Sequence, residues 1–105
     1  MTWDPDDVNA SVGDVIEWKM GAGNPGDHGV RITNWATVKD HVEVEQGDDR
    51  QRFNEMTGRN DTPTDIAERL LLRLKVKSAP PAPAEIKYNC IVHGLTMSGK
   101  VSVSP

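Results

Sequence analysis

Cysteine is almost absent from this 105-residue chain: Cys90 is the only one. That scarcity excludes an internal disulfide framework, a multi-thiolate zinc or iron–sulfur site, and a dinuclear copper centre built on two cysteines. Long hydrophobic runs are also missing. Apolar residues make up 36% of the chain, and no window approaches the roughly 20 apolar residues that a helical membrane span needs. No charged-then-apolar leader opens the sequence, so a cytoplasmic chain or a mature or excised form is expected. An excess of positive charge is lacking as well. The net charge is −4 and the pI near 5.2, which argues against nucleic acid as a partner because its phosphates demand a basic surface. The acidic residues, among them Asp4, Asp6, Asp7, Glu43, Glu45, Asp48 and Asp49, read as a solvated surface, the alternative being a docking patch for a basic partner.

What is present is alternation. In "GDVIEWKM" (13–20), Ile16, Trp18 and Met20 share one face and Glu17 and Lys19 the other. Val30 and Ile32 flank Arg31; Leu70, Leu72, Leu74 and Val76 oppose Arg73, Lys75 and Lys77. Ile86, Tyr88 and Cys90 oppose Lys87 and Asn89, and Val101 and Val103 repeat the pattern in "GKVSV". A period of two, punctuated by Gly, Pro and Asn, predicts half-buried strands packed as an all-β sandwich. The length fits one domain over residues 1–105.

The middle of the chain departs from this pattern. Residues 36–66 read as one polar excursion from the sandwich with one or two short helices. One is expected to open at Asp48 and Asp49 and close at Gly58; a second N-cap is expected at Thr62, followed by Pro63 and Asp65. The segment "SAPPAPAE" (78–85) reads as a proline-rich turn within the domain.

The chemistry concentrates in "EIKYNCIVHGLTMSGKVSVSP" (85–105), where Cys90 is followed three residues on by His93 and four further by Met97. Cys90 ends a strand on the face of Ile86 and Tyr88, so its sulfur points into the sandwich. Gly94 and Gly99 permit a tight return that brings His93 and Met97 back towards that sulfur. Taken singly, each of the three residues reads as packing; together, at C-x2-H-x3-M, they read as three sides of a metal site. His28 and His41 are the candidates to close it, and His28, in a Gly/Pro-rich turn entering a strand, is preferred over the charge-flanked His41. Two imidazoles, a thiolate and a thioether suit both Cu(I) and Cu(II), and the trigonal His2Cys set with a weak axial Met belongs to blue copper. Zinc seldom takes a thioether, and no haem-attachment motif is present.

Two blocks carry a family resemblance. "TWDPDDVNASVGDVIEWK" is similar to the opening of the cupredoxins, the small blue-copper proteins, and "YNCIVHGLTMSGKVSV" is similar to their ending. With "DHGVRI" the resemblance covers about half the chain and leaves 36–69 uncovered. It implies a Greek-key β-sandwich with the polar, partly helical insertion in its middle. It also implies one copper ion with His28, Cys90 and His93 as equatorial ligands and Met97 as the axial one. The Gly29 N–H is then expected to donate to the Cys90 sulfur and tune the potential. Where the family commonly carries Asn after its first histidine, this chain has Gly29, so a side-chain tie between the two ligand loops is expected to be lost.

The function expected on this basis is one-electron transfer through a mononuclear type 1 copper centre, not enzymatic catalysis. A monomer that docks transiently on redox partner proteins, in the periplasm or another extracytoplasmic space, is expected. Copper storage or delivery, a copper-binding domain of a larger redox enzyme, and a metal-free binding module are the alternatives. His41, Glu43, Glu45 and Glu55 are candidates for a different ligand, and an oxygen donor would replace Met97 if the excursion folded over the site.

Overall fold

The computed structural model describes residues 7–19, 26–45, 52–66, 68–92 and 94–105, with 94–97 described by backbone alone. Two sheets face each other. Strands β1 (Asp7–Ser11), β3 (Val30–Ile32), β5 (Phe53–Asn54), β6 (Arg59–Asn60), β8 (Glu85–Cys90) and β9 (Gly94–Ser104) form one, in the order β1-β9-β8-β3-β6-β5. Strands β2 (Val15–Lys19), β4 (Val42–Glu45) and β7 (Leu70–Val76) form the other, in the order β2-β7-β4. The chain crosses from sheet to sheet after most strands, and β1 pairs β9 in parallel while the other ladders are antiparallel. The expected Greek-key sandwich is the fold observed.

Alternation places the core. Val30, Ile32, Leu72, Leu74, Val76, Ile86, Tyr88, Cys90, Val101 and Val103 are all buried between the sheets. Trp18 of β2 meets Tyr88 of β8 edge-to-face, ring centroids 5.3 Å apart, a geometry that favours the positive ring edge over the negative face. Two buried residues break the alternation: Asn89 is buried between Tyr88 and Cys90, and Leu71 is buried like its neighbour Leu72. The register slips between Trp18 and Lys19, so that Trp18 pairs Leu72 and Lys19 pairs Leu70. Leu71 is thereby skipped on the β2 side, and the bulge re-aims its side chain.

The middle segment is less of an excursion than its polarity suggests. A short helix α1 (Trp35–Val38) and a 3-10 turn (Lys39–His41) lead directly into β4, which completes the three-stranded sheet. The helix expected to close at Gly58 is instead a hairpin where it is described: β5 and β6 pair Phe53 with Asn60 and Asn54 with Arg59. Gly58 sits in its turn at φ +72°, bonded through its N–H to the Asn54 carbonyl. Its proposed start at Asp48 and Asp49 lies outside the described residues. The helix expected after Thr62 does not form either. Thr64 pairs with His28 as an isolated antiparallel bridge, and the Thr64 hydroxyl accepts from the Ile66 N–H at 3.2 Å. A backbone partner on β3's side outweighs the local capping signal, as tertiary context commonly overrides propensity. Met20, which the sequence pattern places on the face of Ile16 and Trp18, lies outside the described residues.

Candidate metal centre

Cys90 is carried to its place by pairing on both sides. Val30 opposes Cys90, Arg31 opposes Asn89 and Ile32 opposes Tyr88 across the β3–β8 ladder. The Cys90 side chain is therefore on the inward face and is fully buried. On its other side the β8–β9 register shifts between Asn89 and Cys90: Asn89 pairs Ser98, but Cys90 pairs Gly94. An unbroken register would set Cys90 against residue 97, so 95–97 are three residues of β9 without partners on β8. Met97 lies in this bulge; its side chain is outside the described set. His93, between the Ile91–Val92 turn and β9, is likewise outside the described residues.

His28 is brought in from the opposite end of the sequence. It is fully buried, and its Nδ1 lies 3.7 Å from Cys90 Sγ. Two backbone hydrogen bonds with Thr64, each 2.8 Å, hold its main chain. His41 stands elsewhere: its Nδ1 is 2.8 Å from Ser78 Oγ and the residue is half-exposed. Of the two histidines weighed, the fold sets His28 beside the sulfur.

Gly29 lies between these segments, close against the Ile91 side chain, which would have to move to admit a Cβ. A Cβ there would come within 2.7 Å of Ile91 Cδ1. The Gly29 carbonyl accepts from the Ile91 N–H at 3.0 Å. The tie between the His28 and Cys90 segments is thus made by backbone and by the apolar contact of Ile91.

Sequence reasoning missed Asn60. Its side chain is completely buried, and its Oδ1 accepts from the Val30 N–H at 2.8 Å while its Nδ2 donates to the Leu71 carbonyl at 2.8 Å. One amide thus links β3, two residues past His28, to β7 of the facing sheet. An Asn in a polar, aperiodic stretch carries no pattern by which to foresee this.

A buried imidazole nitrogen and a buried thiol sulfur this far apart can share a metal ion. Bonds of about 2.0 Å to nitrogen and about 2.3 Å to sulfur, opened by the about 120° of a trigonal set, separate the two donors by about 3.7 Å. Among the described residues no third His, Cys, Asp or Glu joins them. Also among the described residues, no helix is long and apolar enough to cross a membrane.

No protein-family model matches the chain, and no curated protein matches it. Solved structures do. A Met-to-Gln variant of amicyanin with Cu(I) superposes with a TM-score of 0.59 at 17% identity, covering 99% of this chain and 74% of that one. A reduced Trp-to-Tyr variant of amicyanin superposes with a TM-score of 0.60 at 16% identity and the same coverage. At such identities the likeness concerns the fold, and that fold is cupredoxin-like.

Proposed function

Proceeding from a cupredoxin-like fold with an imidazole and a thiol buried against each other, we propose that this protein is a one-electron carrier that holds a single copper ion. The observation that carries this reading is the 3.7 Å separation of His28 Nδ1 and Cys90 Sγ, both fully buried. His93 and Met97 complete the proposed ligand set, and the Gly29 N–H is the proposed donor to the sulfur. A copper ion held there would supply Cu(II)/Cu(I) exchange.

The chain's own residues set the conditions for that exchange. Cys90 is locked by ladders on both edges of β8, and His28 by Thr64 on one side and the Asn60-anchored β3 on the other. Fixed donors leave little to rearrange when one charge is added or removed. Burial excludes water, so the low dielectric weighs against whichever state carries more charge. With two neutral imidazoles and one thiolate that is the oxidised state. The exposed Val92, 52% accessible and next to His93 in sequence, would offer apolar surface for a small transient contact with a redox partner protein. An extracytoplasmic setting such as the periplasm goes with this reading.

The test is addition of Cu(II) to metal-free protein with visible and EPR spectra recorded. An intense thiolate-to-copper band with narrow hyperfine splitting is expected, and it should vanish in Cys90→Ala while the protein stays folded. A stoichiometric Cu(II) spectrum identical in Cys90→Ala would refute the proposal.

A further inference from the structure

The two sheets treat charge on their outer faces in opposite ways. On the three-stranded sheet, signs alternate across the strands. Arg73 lies between Glu17 and Glu45, and Lys75 opposes Glu43. Arg73 donates through Nε to Glu17 at 2.8 Å and reaches Glu45 at 3.5 Å. The hydrogen bond and then the charge of Glu17 push the already high pKa of Arg73 further up.

The six-stranded sheet does the reverse. Arg31 of β3 stands directly opposite Arg59 of β6. Val30 and Ile32 point inward, so both guanidinium groups share the outer face, with Cβ atoms about 4.5–5.5 Å apart, an arrangement that destabilises a sheet when nothing compensates it. Lys87 is the diagonal neighbour of Arg31, two residues from its partner Asn89, and Lys39 lies across a recess that both it and Arg31 line. Among the described residues, Arg31, Lys39, Arg59 and Lys87 make no ion pair; the nearby Lys100 is neutralised by Glu85 at 3.0 Å. The recess, of about 600 Å3, is lined by Arg31, Thr33, Trp35, Lys39, Met56 and Thr57, with Glu55 its one acid. Met56 is 93% exposed at its edge.

The geometry points to a docking surface for an acidic segment of a partner protein, centred on Arg31 and Arg59 and seated over the recess beside Met56. Four cations that make no ion pair among the described residues, on a chain of net charge −4, are a local field, suited to steering an anionic surface. A short acidic segment meets only this patch, whereas a nucleic acid, with one charge per about 1.7 Å of duplex, would run onto the negative remainder. The surface also covers the strands that carry the candidate centre, since Arg31 opposes Asn89, the residue before Cys90. The inference concerns a separate face and needs no metal.

The test is a titration of metal-free, isotope-labelled full-length protein with a synthetic hexaglutamate peptide, followed by amide chemical shifts. Shifts are expected at Arg31, Lys39, Thr57, Arg59 and Lys87, disappearing at about 1 M salt, where the Debye length falls to about 3 Å. The double variant Arg31→Thr/Arg59→Thr should bind at least tenfold more weakly and unfold at the same or higher denaturant concentration, because a like-charge pair is removed. Lys75→Thr on the other sheet should bind as the parent does. Undiminished binding in the double variant, shifts confined to other faces, or tighter binding of an oligonucleotide of equal charge would each overturn the inference. Because copper takes no part, such a failure leaves the electron-carrier reading standing, and the loss of that reading leaves this one standing.

Discussion

Asn60 is a small side chain with a large share of responsibility. Its carboxamide satisfies a buried N–H on β3 and a buried carbonyl on β7 at once, and it is itself fully buried. Removing it orphans both backbone groups, at about 1–3 kcal/mol each. Asn60→Ala should therefore lose about 2–6 kcal/mol in a denaturant titration, a large part of the about 5–15 kcal/mol that a domain of this kind possesses. A loss below about 1 kcal/mol would mean that water or neighbouring groups replace the amide. The inward aim of Cys90 was legible from the alternation of Ile86, Tyr88 and Cys90, because a strand's period of two admits only one orientation. Neither Asn60 nor Thr64 was legible, because each earns its place through a partner distant in sequence, Leu71 and Val30 for one and His28 for the other. The contact of Gly29 with Ile91, whose Cδ1 lies 2.7 Å from where a Cβ would sit, was not legible either, because it joins residues 62 positions apart.

At the scale of elements, β2, β3, β7, β8 and β9 followed from hydrophobic pattern, whereas β1, β4 and the β5–β6 hairpin did not. Thr62-Pro63 and the acidic run before it carry real capping chemistry, yet the chain they punctuate gains more by pairing with β3 and forming the β5–β6 hairpin. Leu71 escaped the alternation for a similar reason: a bulge opposite Trp18 and Lys19 is a property of two strands together. The hairpin turn and α1 are locked to each other through Gly58. Its φ is +72°, and a Cβ there would lie 2.5 Å from Trp35 Cβ. Trp35 is held in turn by its Nε1 donating to the Glu55 carbonyl at 2.6 Å and by edge-to-face contact with Phe53 at 5.3 Å. An alanine at 58 meets about 1–2 kcal/mol of left-handed backbone strain and about 1–3 kcal/mol of overpacking. Gly58→Ala should accordingly lower stability by about 2–5 kcal/mol and the melting temperature by on the order of 10 °C or more. An unchanged melting curve would show that the turn and α1 are not coupled.

For the molecule as a whole, the proposed centre sits where distant parts of the chain must be in place: His28 comes from before β3, and Cys90 from the end of β8, in the interior of the six-stranded sheet. An unfolded chain holds these donors 62 residues apart in sequence, so an ion that uses both binds the native state in strong preference. Mass action then links binding to stability: ligand at a hundredfold its Kd adds about 2.7 kcal/mol, which for a domain of this size raises the melting temperature by on the order of 10 °C. Metal-free protein should melt lower than copper-loaded protein by that amount. His28→Ala should lose most of the increment, since it removes one of the two donors that the fold brings together, while its metal-free melting curve reports separately what the buried imidazole contributes to packing. If His28→Ala kept the whole copper-dependent increment, copper would be bound elsewhere and the pairing of His28 with Cys90 would be packing alone.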